Sequence, residues 1–256
     1  MKNTLFDLSG RAALITGGSR GLGQAMARLF AEAGAKLFLC SRHAAEVQAA
    51  AAEIRGATGV RVECITADMT RREDVQRLAD AAVAALGKVD ILVNNAGHNV
   101  PQAIDQIDDA TWDRLVELNL TSCMALTRAV VPGMKQRRWG RVIHISSIMG
   151  LASTPGRNAY SATKAALIGL AQASALDLGP FNITVNCIAP GPFATEMPMS
   201  ILSREQQDAL GSRTALGRWG RPEELAGPAL LLASEAGSYI TGAVLVVDGG
   251  AMARVF

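Results

Sequence analysis

Ala12-Ala13-Leu14-Ile15-Thr16 runs directly into Gly17-Gly18-Ser19-Arg20-Gly21-Leu22-Gly23, and a helix-length segment follows. A short, nearly continuous apolar run reads as a strand covered on both faces. A glycine-rich turn between such a strand and a helix start makes an anion site at the carboxyl edge of a parallel sheet. Backbone N–H groups and the positive end of the helix dipole face the ligand there. Missing Cβ atoms let the backbone approach a pyrophosphate. Gly17, Ser19, Arg20, Gly21, Leu22 and Gly23 are therefore candidate dinucleotide contacts. The spacing is G-x-x-x-G-x-G rather than G-x-G-x-x-G, and no P-loop G-K-[ST] occurs.

The same turn fits a second motif. Gly17-Gly18-Ser19-Arg20-Gly21 matches G-x-S-x-G, the nucleophile elbow of a serine hydrolase. That reading needs an acid and then a histidine downstream. The histidines are His43, His98 and His144, the last inside an apolar run. The elbow would also lie on the first strand, with no earlier strand to supply an oxyanion hole. The dinucleotide reading is the stronger.

Outward from this turn, the pattern repeats. Strand-like runs occur at Ala12–Thr16, Lys36–Cys40, Arg61–Ile65, Val89–Val93, Arg141–Ile145, Thr184–Ile188 and Ala243–Val247. Helix-length segments lie between them. In Arg71–Leu86, Val75, Leu78, Ala79, Ala82 and Leu86 fall on one helical face. Asn158–Leu178 and Glu223–Ala233 also read as helices. This alternation predicts an α/β fold, a single-domain, Rossmann-like, doubly wound parallel sheet of about seven strands with helices on both faces. One domain spans 1–256. Its least regular stretch, 190–220, holds Pro190, Pro192 and Pro198 and a weak helix near Ser203–Leu210, and is expected to be a substrate-binding loop region.

Composition agrees. The 256 residues are 49% apolar, and 25 Lys and Arg against 23 Asp and Glu leave a net charge of +2, which excludes a disordered chain. No Lys/Arg run exceeds two residues, so a nucleic-acid partner is not expected. No apolar stretch approaches the roughly 20 residues of a membrane-spanning helix. Asp7 and Arg11 interrupt any signal-peptide core, and a cytoplasmic location is expected. Cys40, Cys64, Cys123 and Cys187 are scattered and read as buried thiols, and no metal-ligand spacing is present.

The second strand ends Leu39-Cys40-Ser41-Arg42. An acid near this point would accept from the ribose 2′-hydroxyl of NAD, but the next acid is Glu46. Arg42 stands where a 2′-phosphate would lie, and Arg20 could approach it from the first turn, so NADP(H) is expected over NAD(H). Further along, Tyr160 and Lys164 are one helical turn apart, on one face. A phenol of pKa about 10 is a poor base near neutrality, and a close ammonium stabilises its phenolate. Ser147 lies at the carboxyl end of the fifth strand, where a hydroxyl can polarise a carbonyl oxygen. Adjacent Ser146 would point the other way and is read as structural.

Taken together, Thr16–Gly23, Ala67-Asp68, Asn94-Asn95-Ala96-Gly97, Asn119, Ser147, Tyr160, Lys164, Pro190-Gly191, Thr195 and Asp248-Gly249-Gly250 resemble the short-chain dehydrogenase/reductase family over essentially the whole chain. The resemblance implies hydride transfer between a nicotinamide coenzyme and a ketone or secondary alcohol. Tyr160 would be the acid/base. Lys164 would assist it and hold the nicotinamide ribose, Ser147 would orient the substrate oxygen, and Asn119 would position a relaying water. Asp68 and Met69 would meet the adenine. Asn95, Ala96 and Gly97 would line the coenzyme groove, with Ser41, Pro190, Gly191 and Thr195 completing it and Ile188 beside Thr195 at the carboxamide. Asn94 would brace the sheet. A regulator on the same fold that binds NADPH without chemistry is the other reading, and the intact Asn119, Ser147, Tyr160 and Lys164 set argues against it.

Substrate residues are sought at His98, Met149, Leu151, Arg157, Phe193 and Met197. His98 faces either substrate or solvent. Phe6–Gly10, Thr195-Glu196-Met197 and Arg218-Trp219-Gly220 with Pro222–Leu225 are similar to gluconate 5-dehydrogenases, and much of this also resembles 3-oxoacyl-[acyl-carrier-protein] reductases. A small polar ketone, such as a keto-sugar acid, is expected. An acyl-carrier substrate, for which Arg137, Arg138 and Arg141 would supply a docking patch, and a general carbonyl substrate are the alternatives. Apolar positions beyond one face of Asn158–Leu178 suggest a homotetramer or dimer.

Overall fold

The computed structural model describes residues 4–201 and 203–253, the side chains of Met197, Pro198 and Ile201 excepted. Seven strands form one parallel sheet: β1 (Ala12–Thr16), β2 (Lys36–Ser41), β3 (Val62–Thr66), β4 (Ile91–Asn94), β5 (Gly140–Ile145), β6 (Ile183–Pro190) and β7 (Val244–Val247). Nine α-helices occur among the described residues: α1 (Gly21–Glu32), α2 (Ala44–Thr58), α3 (Arg72–Leu86), α4 (Asp109–Val116), α5 (Ser122–Arg137), α6 (Asn158–Leu178), α7 (Glu196–Ile201), α8 (Arg204–Gly211) and α9 (Glu223–Ala233).

The sheet order is β3-β2-β1-β4-β5-β6-β7. The winding therefore reverses between β1 and β4, which pair in parallel through Ala13–Ile91 and Ile15–Val93. A crevice opens at such a reversal, outside the carboxyl ends of the strands. Alternate strand residues feed two cores. Leu14, Leu92, Val142 and Val185 pack under α3, α5 and α6. Ala13, Ile15, Val93 and Ile143 pack under α1, α2 and α9. This explains why the strand sequences are nearly unbroken apolar runs.

The expected strands differ from the observed ones only at their ends. β2 continues through Ser41, β4 is shifted to include Asn94, and β6 continues to Pro190. In each case a polar residue or a proline ends the apolar run while the backbone ladder goes on, as in the pairs Ser41–Thr66, Asn94–His144 and Pro190–Val247. The 190–220 stretch is more regular than its prolines suggest. It contains α7 and α8, and a Ser203–Gln206 capping box opens α8. Trp219 Nε1 donates to the Gln207 carbonyl at 2.7 Å and ties the segment back on itself.

Cys40, Cys123 and Cys187 are buried, whereas Cys64 is half-buried on the sheet edge. Burial pushes the Cys40 and Cys187 thiols up to about 12, so these two stay protonated and inert. Among the described residues no helix is long and apolar enough to cross a membrane.

Candidate active site

The turn after β1 builds one wall of the crevice. Gly17 has φ +63°, and a Cβ on Gly23 would lie 2.1 Å from the Gly17 carbonyl oxygen, so the turn closes only with glycine there. Arg20 is the N-cap of α1 but its side chain makes no capping bond, and the first turn of α1 contains no acid. The α1 N-terminus is thus left open to a ligand anion. Thr16 Oγ1 accepts from the N–H groups of Asn95 and Ala96, both at 3.0 Å. Asn95 Nδ2 donates to the carbonyls of Thr16 and Gly17 at 2.8 and 3.1 Å. These bonds clamp the β4 turn to the β1 turn.

The crevice is lined by Gly17, Ser19, Arg20, Gly21, Leu22 and Gly23 on one side, by Ser41 and Arg42 at its end, and by Met69, Asn95, Ala96, Gly97, His98 and Thr195 opposite. The glycine cradle, the open helix end and two arginines fit the pyrophosphate and phosphate groups of a dinucleotide. Glu46, Leu118 and His43 also line it, none of them among the coenzyme contacts expected from sequence. Asp68 is turned partly inward. Its Oδ1 accepts from Thr70 N–H and Oγ1, both at 2.9 Å, while neighbouring Ala67 and Met69 face the crevice.

Beyond Gly97 lies the second half of the site. A Cβ on Gly97 would sit 3.2 Å from Asn119 Oδ1 and 3.3 Å from Lys164 Nζ, so that glycine marks where the two side chains converge. Asn119 is fully buried on a π-helical turn, Glu117–Thr121, between α4 and α5. Such turns recur at functional sites. Its Oδ1 accepts from His98 N–H at 2.9 Å, and its Nδ2 donates to the His98 carbonyl at 2.9 Å and to Thr163 Oγ1 at 3.2 Å. Lys164 Nζ donates to the Ile145 carbonyl at 2.7 Å and lies 5.6 Å from the Tyr160 ring centroid. Tyr160 is half-buried in the first turn of α6. Ser147 follows β5, mostly buried, and its Oγ accepts from Met149 N–H at 3.1 Å. Ser146 instead donates to the Lys164 carbonyl at 2.8 Å and anchors α6 to the sheet.

Beneath these residues, Asn94 Nδ2 donates to Thr127 Oγ1 at 3.2 Å and faces His144 Nδ1 at 3.1 Å. His144 is buried, and burial together with the Lys164 ammonium pulls it down to about 4. His98 is also held below the ordinary imidazole range, by burial and then by the Arg114 and Arg42 cations.

The remaining positions sort unequally. Thr195 N–H donates to the Phe193 carbonyl at 2.8 Å and lines the crevice. Gly191, after Pro190, packs against Asp248, which a Cβ would strike at 2.6 Å. Met149 and Leu151 lie on the turn after Ser147, with Leu151 exposed. Arg157 is the N-cap of α6 and bridges to Gln102. Phe193 is buried, with its ring against Gly220, so it belongs to the core rather than to an open pocket. The Met197 side chain lies outside the described residues. Arg137, Arg138 and Arg141 form no basic patch at the crevice. They sit at the opposite, amino edge of the sheet, where Arg137 and Arg138 donate to the Val89 and Pro180 carbonyls and Arg141 is buried. Ser19, the elbow serine, donates to Glu46 at 3.4 Å, and no histidine bonds to it.

A family model described as enoyl-(acyl carrier protein) reductase matches residues 17–252. Gluconate 5-dehydrogenase from Gluconobacter oxydans is 37% identical over 96% of this chain and 96% of its own length. A 7α-hydroxysteroid dehydrogenase, solved with NADH and 7-oxo glycochenodeoxycholic acid, superposes with a TM-score of 0.93 at 35% identity, covering 98% of this chain and 97% of that one. The RhlG/NADP active-site complex from Pseudomonas aeruginosa superposes with a TM-score of 0.91 at 38% identity, covering 97% and 99%.

Proposed function

The chain belongs to the short-chain dehydrogenase/reductase family, and within that frame we propose that it is an NADP(H)-dependent reductase of a small polar ketone with Tyr160 as acid/base. That it is an oxidoreductase of carbonyl and CH–OH groups follows from the family; the residues, coenzyme and substrate are our reading. The observation that carries it is the convergence of Asn119 Oδ1 and Lys164 Nζ on Gly97, one helical turn from Tyr160.

In this reading the turn residues Gly17–Gly23 hold the pyrophosphate of the coenzyme, and Arg20 and Arg42 bind the 2′-phosphate. Ser41, Asp68, Met69, Asn95, Ala96, Gly97, Pro190, Gly191 and Thr195 complete the groove. Bound there, the coenzyme supplies the hydride. Ser147 Oγ donates to the substrate oxygen and holds it, and Tyr160 gives that oxygen its proton. Lys164 stabilises the charge left on Tyr160, and Asn119, gripped on both sides of His98, keeps a water in line to return the proton. The 190–220 segment closes over the substrate.

The substrate we favour is a keto-sugar acid, supported by the likeness to gluconate 5-dehydrogenase. An acyl-carrier thioester is the second reading, supported by the matching family model, although Arg137, Arg138 and Arg141 do not reach the site to dock it. Self-association through α6 is also proposed. The outward positions Ala162, Ala165, Ala166, Gly169, Ala173 and Leu176 are small or apolar and exposed, as a packed helix pair needs.

Absorbance at 340 nm with NADPH or NADH and a panel of 5-keto-gluconate, an acetoacetyl thioester and an aryl ketone tests the proposal. Turnover of 5-keto-gluconate, faster with NADPH, is expected. Faster turnover with NADH would defeat the coenzyme assignment, and silence on every ketone despite NADPH binding would favour a regulator.

A further inference from the structure

Four charged side chains line the hollow beside the arginine end of the crevice: Arg20, Glu46, Glu53 and Glu196. Glu196 is paired with Arg20 at 3.1 Å, and Glu53 with Arg28. Glu46 differs. It lies in the first turn of α2, three residues past the Ser41-Arg42-His43 corner, and lines the crevice beside it. Its Oε2 accepts from Ser19 Oγ at 3.4 Å, and no cation pairs with it among the described residues. An unneutralised carboxylate thus shares the space of the arginines assigned above to the 2′-phosphate, and it takes up a hydroxyl of the phosphate-binding turn.

We propose that Glu46 is a coenzyme-selectivity residue that works against Arg42. The inference rests on the NADP(H) reading above and deepens it. A carboxylate there repels a 2′-phosphate, which carries up to two negative charges, but can accept from a 2′-hydroxyl. The NADP(H) preference is therefore weaker than Arg20 and Arg42 alone would set. The favourable placement of an acid in the first turn of a helix explains why α2 tolerates an unpaired carboxylate. It does not explain why that carboxylate faces the crevice.

Adenosine 2′,5′-bisphosphate and adenosine 5′-phosphate, titrated calorimetrically into the full chain, separate these roles without any need for the substrate. Glu46→Gln keeps an acceptor for Ser19 and removes the charge. It should bind the bisphosphate about tenfold more tightly at low salt, with 5′-phosphate binding unchanged or weaker. The gain should shrink at high salt. Glu46→Asp, which keeps the charge, should retain the wild-type ratio. If both ligands move by the same factor, or neither moves, Glu46 serves only the helix end and the inference falls. Arg42→Ala separates this failure from that of the coenzyme reading. If it leaves bisphosphate binding intact, the NADP(H) assignment fails, while the ratio change in Glu46→Gln still decides the role of Glu46.

Discussion

Two buried cations stand at opposite ends of β5, and their surroundings differ in kind. Arg141, at the amino end, is fully buried and its contacts are all to the fold, although its Nη2 makes no hydrogen bond among the described residues. Its guanidinium stacks on Trp139 at 4.4 Å while Arg11 stacks on the same ring at 3.6 Å. It donates to the carbonyls of Gly140, Asn182 and Ser234, and Glu235 approaches to 3.5 Å and also accepts from Trp139 Nε1. Lys164, at the carboxyl end, is equally hidden but donates to one carbonyl, that of Ile145, and no carboxylate pairs with it among the described residues. An ammonium carries three donors. Both cations keep unused donors, so the difference is where they lie: Arg141 is enclosed by the amino edge of the sheet, whereas Lys164 stands beside the open crevice.

The comparison can be sharpened by acid. His144 is neutral in the fold, held down to about 4 by burial and by the Lys164 ammonium, against an ordinary value of about 6.5. Between these values the unfolded chain binds the extra proton, so stability falls as pH drops from 6.5 toward 4, by roughly 3 kcal/mol in all. Denaturant titrations across that range should show the slope, and His144→Asn should flatten it. An unchanged slope in the variant would remove His144, and with it the claim that Lys164 charges the core beneath the site.

Arg141→Met supplies the smaller effect. Losing the Trp139 stacking and the carbonyl bonds should cost about 2 kcal/mol of stability. Turnover per folded molecule should be unchanged, because the residue lies at the far edge of the sheet. A loss of turnover without a loss of stability would place Arg141 in the wrong class.

Much of this was legible in the sequence because it depends on periodicity and order. Seven apolar runs with helix-length spacers specify a doubly wound sheet, and the Gly17–Gly23 turn specifies which edge carries the site. The strand ends were not legible, since Ser41, Asn94 and Pro190 pair through backbone groups that carry no side-chain signal. The Tyr160–Lys164 spacing announced itself, but the supports did not. That Asn119 sits on a π-helical turn and grips His98 from both sides depends on contacts twenty-one residues apart. Phe193 misled for the same reason: an aromatic in a loop reads as a substrate contact until Gly220 is seen packed against its ring. Arg137, Arg138 and Arg141 cluster in sequence, yet the strand they precede or begin carries them to the edge away from the crevice.

The most direct test of the contrast is Lys164→Met, assayed for turnover with NADPH and for melting temperature in the same preparation. The account predicts a loss of turnover of about a thousandfold with the melting temperature held or raised, because an unpaired buried charge has been removed. A melting temperature that falls as far as that of Arg141→Met, with turnover per folded molecule preserved, would contradict it.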